Sequence, residues 1–219
     1  LEKVNVKLRG AAKYFVEEQA GEPLRGLLVD QAPVHKESEL SPLDYATAIL
    51  EGTEWVDSEE DVDELIGYHS VCQGPAPIVL HSTSKAEEAA VLAAHIKEWT
   101  QGEENVSIGV LTRTNQRGEE IARQLGEHDV AVSAGRRTST ERPVAVMTMH
   151  NAKGLEFTHV ILLDVNAEAL PQRYLFKGLT PEADEALQRE RALLYVAASR
   201  ARDMLLVSVV GEASELLPA

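Results

Sequence analysis

Apolar and polar positions fall into two regimes along this chain, and the change comes near residue 78. Beyond it stand short, continuous apolar runs: IVLH (78–81), VSIGVLT (106–112), VAVMTM (144–149), HVILLDV (159–165) and MLLVSVV (204–210). Continuous rather than alternating apolar character predicts strands buried on both faces. VAVS (130–133) predicts one more short strand. Between these runs lie segments with helical spacing: SKAEEAAVLAAHIKEWTQG (84–102), NQRGEEIARQLGEH (115–128) and PEADEALQRERALLYVAASRA (181–201). Gly102 ends the first of these and Pro181 sits near the start of the third, as helix punctuation does. Strands alternating with helices predict an α/β domain with a mostly parallel sheet covered on both faces.

The first part of the chain is less regular. VKLRGAAKYFVEEQ (6–19) has helical spacing, with Leu8, Ala12, Phe15 and Val16 on one side. RGLLVD (25–30) reads as a short strand. SPLDYATAILEG (41–52) fits a helix with Ser41 as N-cap, Pro42 in the first turn and Gly52 at its end. The stretch up to YHSVCQGPAP (68–77) reads as a linker. The expected organisation is a small, mainly helical N-terminal segment with an acidic linker (1–77), followed by the α/β domain (78–219).

Composition narrows the compartment. No apolar run is long enough to span a bilayer, and the first residues lack the apolar block of a signal peptide. The lone Cys72 excludes an internal disulfide. A cytoplasmic protein with no membrane partner is expected. The chain begins at Leu1 rather than Met, as expected of a processed chain or of a piece of something longer. The net charge of −15 is uneven: residues 1–104 hold 8 basic and 21 acidic residues, residues 105–219 hold 13 and 15. The acids concentrate in EGTEWVDSEEDVDE (51–64), where eight acids stand without a base. That stretch reads as a solvated loop, the alternative being a contact for a basic protein partner.

Candidate chemistry gathers where strands end, because ligands of such sheets bind at the carboxyl ends of strands. TMHNAKGLEF (148–157) is a polar turn between two apolar runs, and its Lys153–Gly154 pair could aim backbone amides and an ammonium at an anion. LTRTN (111–115) follows another strand and adds Arg113 and Asn115, so the two loops are expected side by side. GRRTSTER (135–142) contributes three arginines. The last helix carries Arg189, Arg191, Arg200 and Arg202, with Tyr195 and Ser199 one turn apart. Arginine forks suit phosphates. The plain reading of Arg189, Arg191 and Arg202 is a solvated face with (i, i+4) pairs such as Glu185 with Arg189.

TMHNAKGLEF resembles the turn that follows a strand in superfamily 1 DNA helicases of the UvrD/Rep/PcrA type. QRERALLYVAASRARDMLLVS (188–208) is similar to their last helicase motif, and IGVLTRTNQRGEEIARQL (108–125) to the strand–helix segment before the turn. The three segments occur in the family's order. The resemblance implies a three-layer RecA-like lobe of the P-loop NTPase type, the second of two that clasp ATP between them while single-stranded DNA crosses their top. It implies Arg200 as the arginine finger on the γ-phosphate, with Gly154, Glu156 and Lys153 on the ATP side. Arg113, Asn115, Thr148 and His150 would face the DNA, and Lys153 could serve either ligand. ATP and Mg2+ would both require the missing first lobe, and that lobe and single-stranded DNA are the expected partners.

Several departures accompany the resemblance. No GxxxxGK[ST] loop occurs, so the phosphate cradle of the first lobe is missing. Asp30 is followed by Gln31 where the family has Asp-Glu. VHKES (34–38) stands where an Asn-Tyr-Arg segment is expected. Ser199 replaces a Thr and keeps the hydroxyl. Between Asp129 and Pro143 there is no room for the large domain that the best-known members insert. The leading expectation is one motor lobe of an ATP-dependent DNA helicase or translocase, inactive alone. The alternative is a degenerate, non-catalytic helicase-like module that binds DNA or a protein.

Overall fold

The structure, a computed structural model, describes residues 36–37, 41–50, 55–56, 62–63, 75–102, 105–133, 138–172 and 181–218, all within Pro33–Ala219. The helix expected at 6–19, the strand at 25–30, Asp30 and Gln31, most of the acidic stretch, and Arg136 and Arg137 lie outside these residues. The described elements run β1 (Lys36–Glu37), α1 (Pro42–Leu50), β2 (Trp55–Val56), β3 (Val62–Asp63), β4 (Ile78–Ser82) and α2 (Lys85–Gly102). They continue with β5 (Ile108–Thr112), α3 (Asn115–Glu127), β6 (Val144–Thr148), a 3-10 turn (Met149–Ala152), β7 (Phe157–Leu162), α4 (Pro181–Ala198) and β8 (Ala201–Val210). Among the described residues no helix is long and apolar enough to cross a membrane.

Five strands form a parallel sheet in the order β4-β8-β7-β5-β6, and β1 adds an antiparallel edge to β4. The apolar runs are continuous because successive residues of each strand face different helices. Leu80, Ile108, Val110, Ile161 and Leu206 pack against Leu92 and Ile96 of α2 and Ile121 and Leu125 of α3. Their neighbours Val79, Leu111, Val160, Leu205 and Val207 pack against Tyr45 and Ile49 of α1 and Leu194 and Ala197 of α4. Each such aliphatic side chain stabilises the fold by roughly 1.5–3 kcal/mol on full burial, and both faces are covered. This is the α/β, three-layer architecture that the sequence predicts. Gly109, in β5, leaves room for a ring: a Cβ there would stand 2.6 Å from Cδ2 of Phe157.

Two boundaries differ from the sequence pattern. VAVS makes no strand of its own; Val132 forms a single parallel bridge to Val144. Its backbone is used elsewhere, since the Val130 amide donates to the Leu125 carbonyl and closes the end of α3. The last helix stops at Ala198 instead of 201, because Ala201 already pairs with Phe157 in the sheet. Ser199 and Arg200 therefore form a tight turn between α4 and β8, and the Phe157 amide donates to the Arg200 carbonyl at 3.0 Å.

α1 is capped as expected: the Asp44 amide donates to Ser41 Oγ at 3.2 Å. α1 packs on α4, and Arg191 Nη1 donates to the Ile49 carbonyl at 2.9 Å. β1 and α1, which precede residue 78, thus share the sheet and the core with the elements after it. β5 continues into α3 on one face, while its neighbour β7 continues into α4 on the other. Adjacent strands whose connections part in this way open a crevice at their carboxyl ends.

Candidate functional site at the carboxyl edge of the sheet

Thr112 closes β5 and Thr148 closes β6, and the two residues are register partners. The loops that follow them leave the sheet side by side, as expected. Thr112 Oγ1 donates to the Thr114 carbonyl at 2.9 Å and also lies 3.4 Å from the Met147 carbonyl. This ties the β5 loop to β6. Thr114 then caps α3, its Oγ1 accepting the Arg117 amide at 3.3 Å. Asn115 opens the helix with its side chain exposed.

The TMHNAKGLEF turn has a simple periodicity. In a 3-10 turn, residues three apart eclipse one another. Met149 and Ala152 are buried against the α1/α4 core, which leaves His150 and Asn151 outward. Lys153 is exposed, and Gly154 takes φ +77, where a side chain is disfavoured. Thr148 is buried at the root of the turn, and Glu156 is exposed at its far side.

Arg200 meets this turn from α4. Its Nε donates to the Val196 carbonyl at 2.9 Å, Nη2 to Ser199 Oγ at 3.1 Å, and Nη1 to the Leu155 carbonyl at 3.4 Å. Ser199 Oγ in turn donates to Val196 at 3.0 Å. All the acceptors are neutral. No carboxylate among the described residues pairs with Arg200 or with Lys153. A carboxylate about 4 Å away would offset about 4 kcal/mol of attraction for an anion at an effective dielectric of about 20. Among the described residues nothing supplies such an offset at Arg200. It is held in place, partly buried, with its charge available.

The arginines on the other side of the edge are neutralised. Arg113 grips Glu190 of α4 with two bonds, Nε to Oε2 at 3.0 Å and Nη2 to Oε1 at 2.6 Å. Arg117 is buried between Glu88 of α2 and Asp164, the turn residue after β7 with φ +56. Its Nε donates to Asp164 Oδ2 at 2.8 Å, and Glu120 lies 3.2 Å from Nη1. Glu88 also accepts from Ser208 of β8 at 2.6 Å. Burial raises the pKa of both Glu88 and Asp164, and Arg117 works against that rise. The sequence pattern had one usable signal for this cluster: Glu88 lies on the stripe of α2 that also holds Leu92, Ile96 and Trp99, all buried.

Of the three arginines read as a solvated face with (i, i+4) pairs, only Arg189 fits; Arg191 is half-buried and donates to the Ile49 carbonyl instead. Arg189 pairs with Glu185 at 3.1 Å on an open surface, as the (i, i+4) spacing predicts. Arg202 pairs with its neighbour Asp203 at 2.7 Å. Arg142 donates to the Val132 carbonyl at 3.3 Å. Among the described residues no group of three His, Cys, Asp or Glu side chains is placed to hold a metal ion.

Comparison with known proteins places this edge in context. Residues 130–212 match the UvrD-like helicase C-terminal domain family, a span that includes Thr148, His150, Lys153, Gly154, Glu156, Glu190 and Arg200. Arg113 and Asn115 precede it. The chain is 27% identical over 167 residues to the ATP-dependent DNA helicase PcrA of Staphylococcus aureus strain MRSA252, covering 74% of this chain and 20% of that protein. It is 26% identical over 164 residues to the PcrA of Staphylococcus epidermidis strain ATCC 35984, covering 73% and 20%. It thus spans about a fifth of the length of these relatives. The crystal structure of the C-terminal domain of a possible DNA helicase from Lactobacillus plantarum WCFS1 superimposes with a TM-score of 0.54. That match covers 82% of this chain and 92% of the other at 20% identity, and shows the common fold. From the turn after α3 through the end of β8, this chain matches the UvrD-like helicase C-terminal domain family.

Proposed function

We propose that this chain is the second motor lobe of an ATP-dependent DNA helicase or translocase, and that it works only with a first lobe carrying the phosphate cradle. The observation that carries the reading is Arg200. Its guanidinium is fixed by three neutral oxygens and faces no carboxylate among the described residues. Phosphoryl transfer gains most from a preplaced cation at the charge that develops on the γ-phosphate. An arginine supplied by a second lobe makes hydrolysis depend on closure.

The turn fits the anionic end of ATP. Lys153 is exposed, Gly154 has open space where a Cβ would stand, and Arg200 reaches the intervening Leu155 carbonyl. Glu156 stands at the same corner as an acceptor for a sugar or base donor. Bound ATP would supply the phosphoryl group that passes to water; Mg2+ belongs with the first lobe. His150, Asn115 and the Thr148 root, with Arg113 behind them, form the strand side, where backbone contacts without base readout suit a protein that moves along DNA.

The test is ATP hydrolysis by the complete protein, with and without single-stranded DNA. Arg200→Ala lowers the DNA-stimulated rate by about 1,000-fold or more, the usual weight of an arginine finger, while strand affinity changes little. Near-normal hydrolysis in that variant removes Arg200 from the role.

A further inference from the structure

Arg113 poses a problem for the strand side. It directly follows Thr112, which closes β5, yet it is bound edge-on to Glu190, and the two side chains are only 15% and 5% exposed. A carboxylate so close should weaken a phosphate contact. The pair is also a poor device for stability alone, because desolvating two charges offsets most of their attraction.

The geometry of the fork resolves this. A guanidinium has five N–H donors in one plane. Glu190 takes one on Nε and one on Nη2. Both hydrogens of Nη1 and the second of Nη2 have no partner among the described residues. One hydrogen of Nη1 and the second of Nη2 form the outer end of the same fork, the edge that suits two phosphate oxygens, and the other Nη1 hydrogen points back toward Cδ.

We propose that Glu190 is a positioning residue: it clamps the inner edge of Arg113 so that the outer edge is presented, already oriented, to one phosphate of the bound single strand. Fixing a free arginine costs about 2 kcal/mol of rotamer entropy, and here Glu190 bears that cost before the strand arrives, which is the usual advantage of preorganisation. Glu190 lies on α4, whose end leads into Arg200. The strand contact and the finger are therefore anchored to one helix. The inference rests on the motor reading for the identity of its ligand.

The experiment is binding of fluorescent oligo(dT) to the complete protein, by anisotropy, between about 50 and 200 mM salt. For single strands the slope of log K against log salt changes by about 0.7 per phosphate contact. Arg113→Ala lowers the slope by about 0.7 and weakens binding about tenfold at low salt. Glu190→Gln lowers the slope by a similar amount, and the double variant behaves like Arg113→Ala. Glu190→Asp, which keeps the carboxylate, recovers part of the slope.

Other outcomes overturn the proposal. If Glu190 merely sequesters Arg113, Glu190→Gln tightens binding and leaves the slope unchanged or steeper. If Glu190 only supports the fold, the active fraction and melting temperature fall while the slope keeps its wild-type value. If Arg113→Ala leaves the slope unchanged, Arg113 touches no phosphate. Hydrolysis measured alongside separates the two readings. Salt-dependent binding with the expected variant slopes but no DNA-stimulated hydrolysis defeats the motor reading alone. Stimulated hydrolysis with a wild-type slope in Glu190→Gln defeats this inference alone.

Discussion

Two arginines at the same edge of the sheet meet opposite electrostatic fates. Arg117 sits on the α2/α3 face, buried between Glu88 and Asp164. Arg200 sits on the α1/α4 face, held by carbonyls and a hydroxyl. Both are fixed by several bonds and neither is free to swing. The difference is the charge of the acceptors. A guanidinium surrounded by carboxylates joins elements and has little left to offer a ligand. One surrounded by neutral oxygens is equally well placed and still attracts an anion. Arg113 falls between the two, with one edge neutralised and one open.

This contrast can be broken by crossing the two sites. The largest effect expected is on hydrolysis at Arg200, where the alanine variant of the complete protein loses the DNA-stimulated rate as stated above yet keeps its melting temperature within a few degrees. Unfolding of that variant would mean that its bonds to Val196 and Leu155 matter more for the fold than for chemistry.

Arg117→Met should do the reverse. It strands Glu88 and Asp164 in the interior without their cation, and breaking a buried pair in this way costs about 3–5 kcal/mol. Denaturant melts at neutral pH read that loss directly. The pH dependence follows from the direction of the shifts. Burial raises both carboxyls above their unfolded values. Between the unfolded and the raised folded pKa, the folded state binds protons more tightly. Their contribution to stability therefore grows as pH falls through that window and is lost as pH rises. Removing Arg117, which holds both down, widens the window. The variant should regain part of its stability as pH falls from neutrality toward the unfolded carboxyl range, and a deficit independent of pH would show that the carboxyls are not the cause.

Gly109→Ala is expected to cost about 1–3 kcal/mol by overpacking, since its Cβ would press on the Phe157 ring that leads into β7. A neutral result would mean that the ring can shift and that the close approach is incidental. The smallest effect belongs to Glu185→Gln. Its pair with Arg189 is about 70% exposed on both sides, and losing it should change stability by no more than about 0.5 kcal/mol.

Much of this could be read along the chain, for reasons that particular residues make clear. The runs VSIGVLT, HVILLDV and MLLVSVV are apolar at consecutive positions, which only a strand covered on both faces tolerates, and they became β5, β7 and β8. Ser41 and Pro42 marked the start of α1, and Glu185 with Arg189 declared its surface pair by spacing. Short-range signals suffice where the physics is short-range. The TMHNAKGLEF turn was equally visible, as polar chemistry between two buried strands.

Which cations remain available was a different matter. Arg113, Arg117, Arg189, Arg191 and Arg200 look alike in sequence. Arg189 pairs four residues away, whereas Arg113 and Glu190 are 77 residues apart and Arg117 and Asp164 are 47 apart. Such partners meet only because β5 and β7 lie side by side and send their helices to opposite faces. The sequence by itself determined the layers, the strands and the loops that bear charge. The tertiary structure decided which of those charges are cancelled, because a Coulomb contact depends on distance in space and not on distance along the chain.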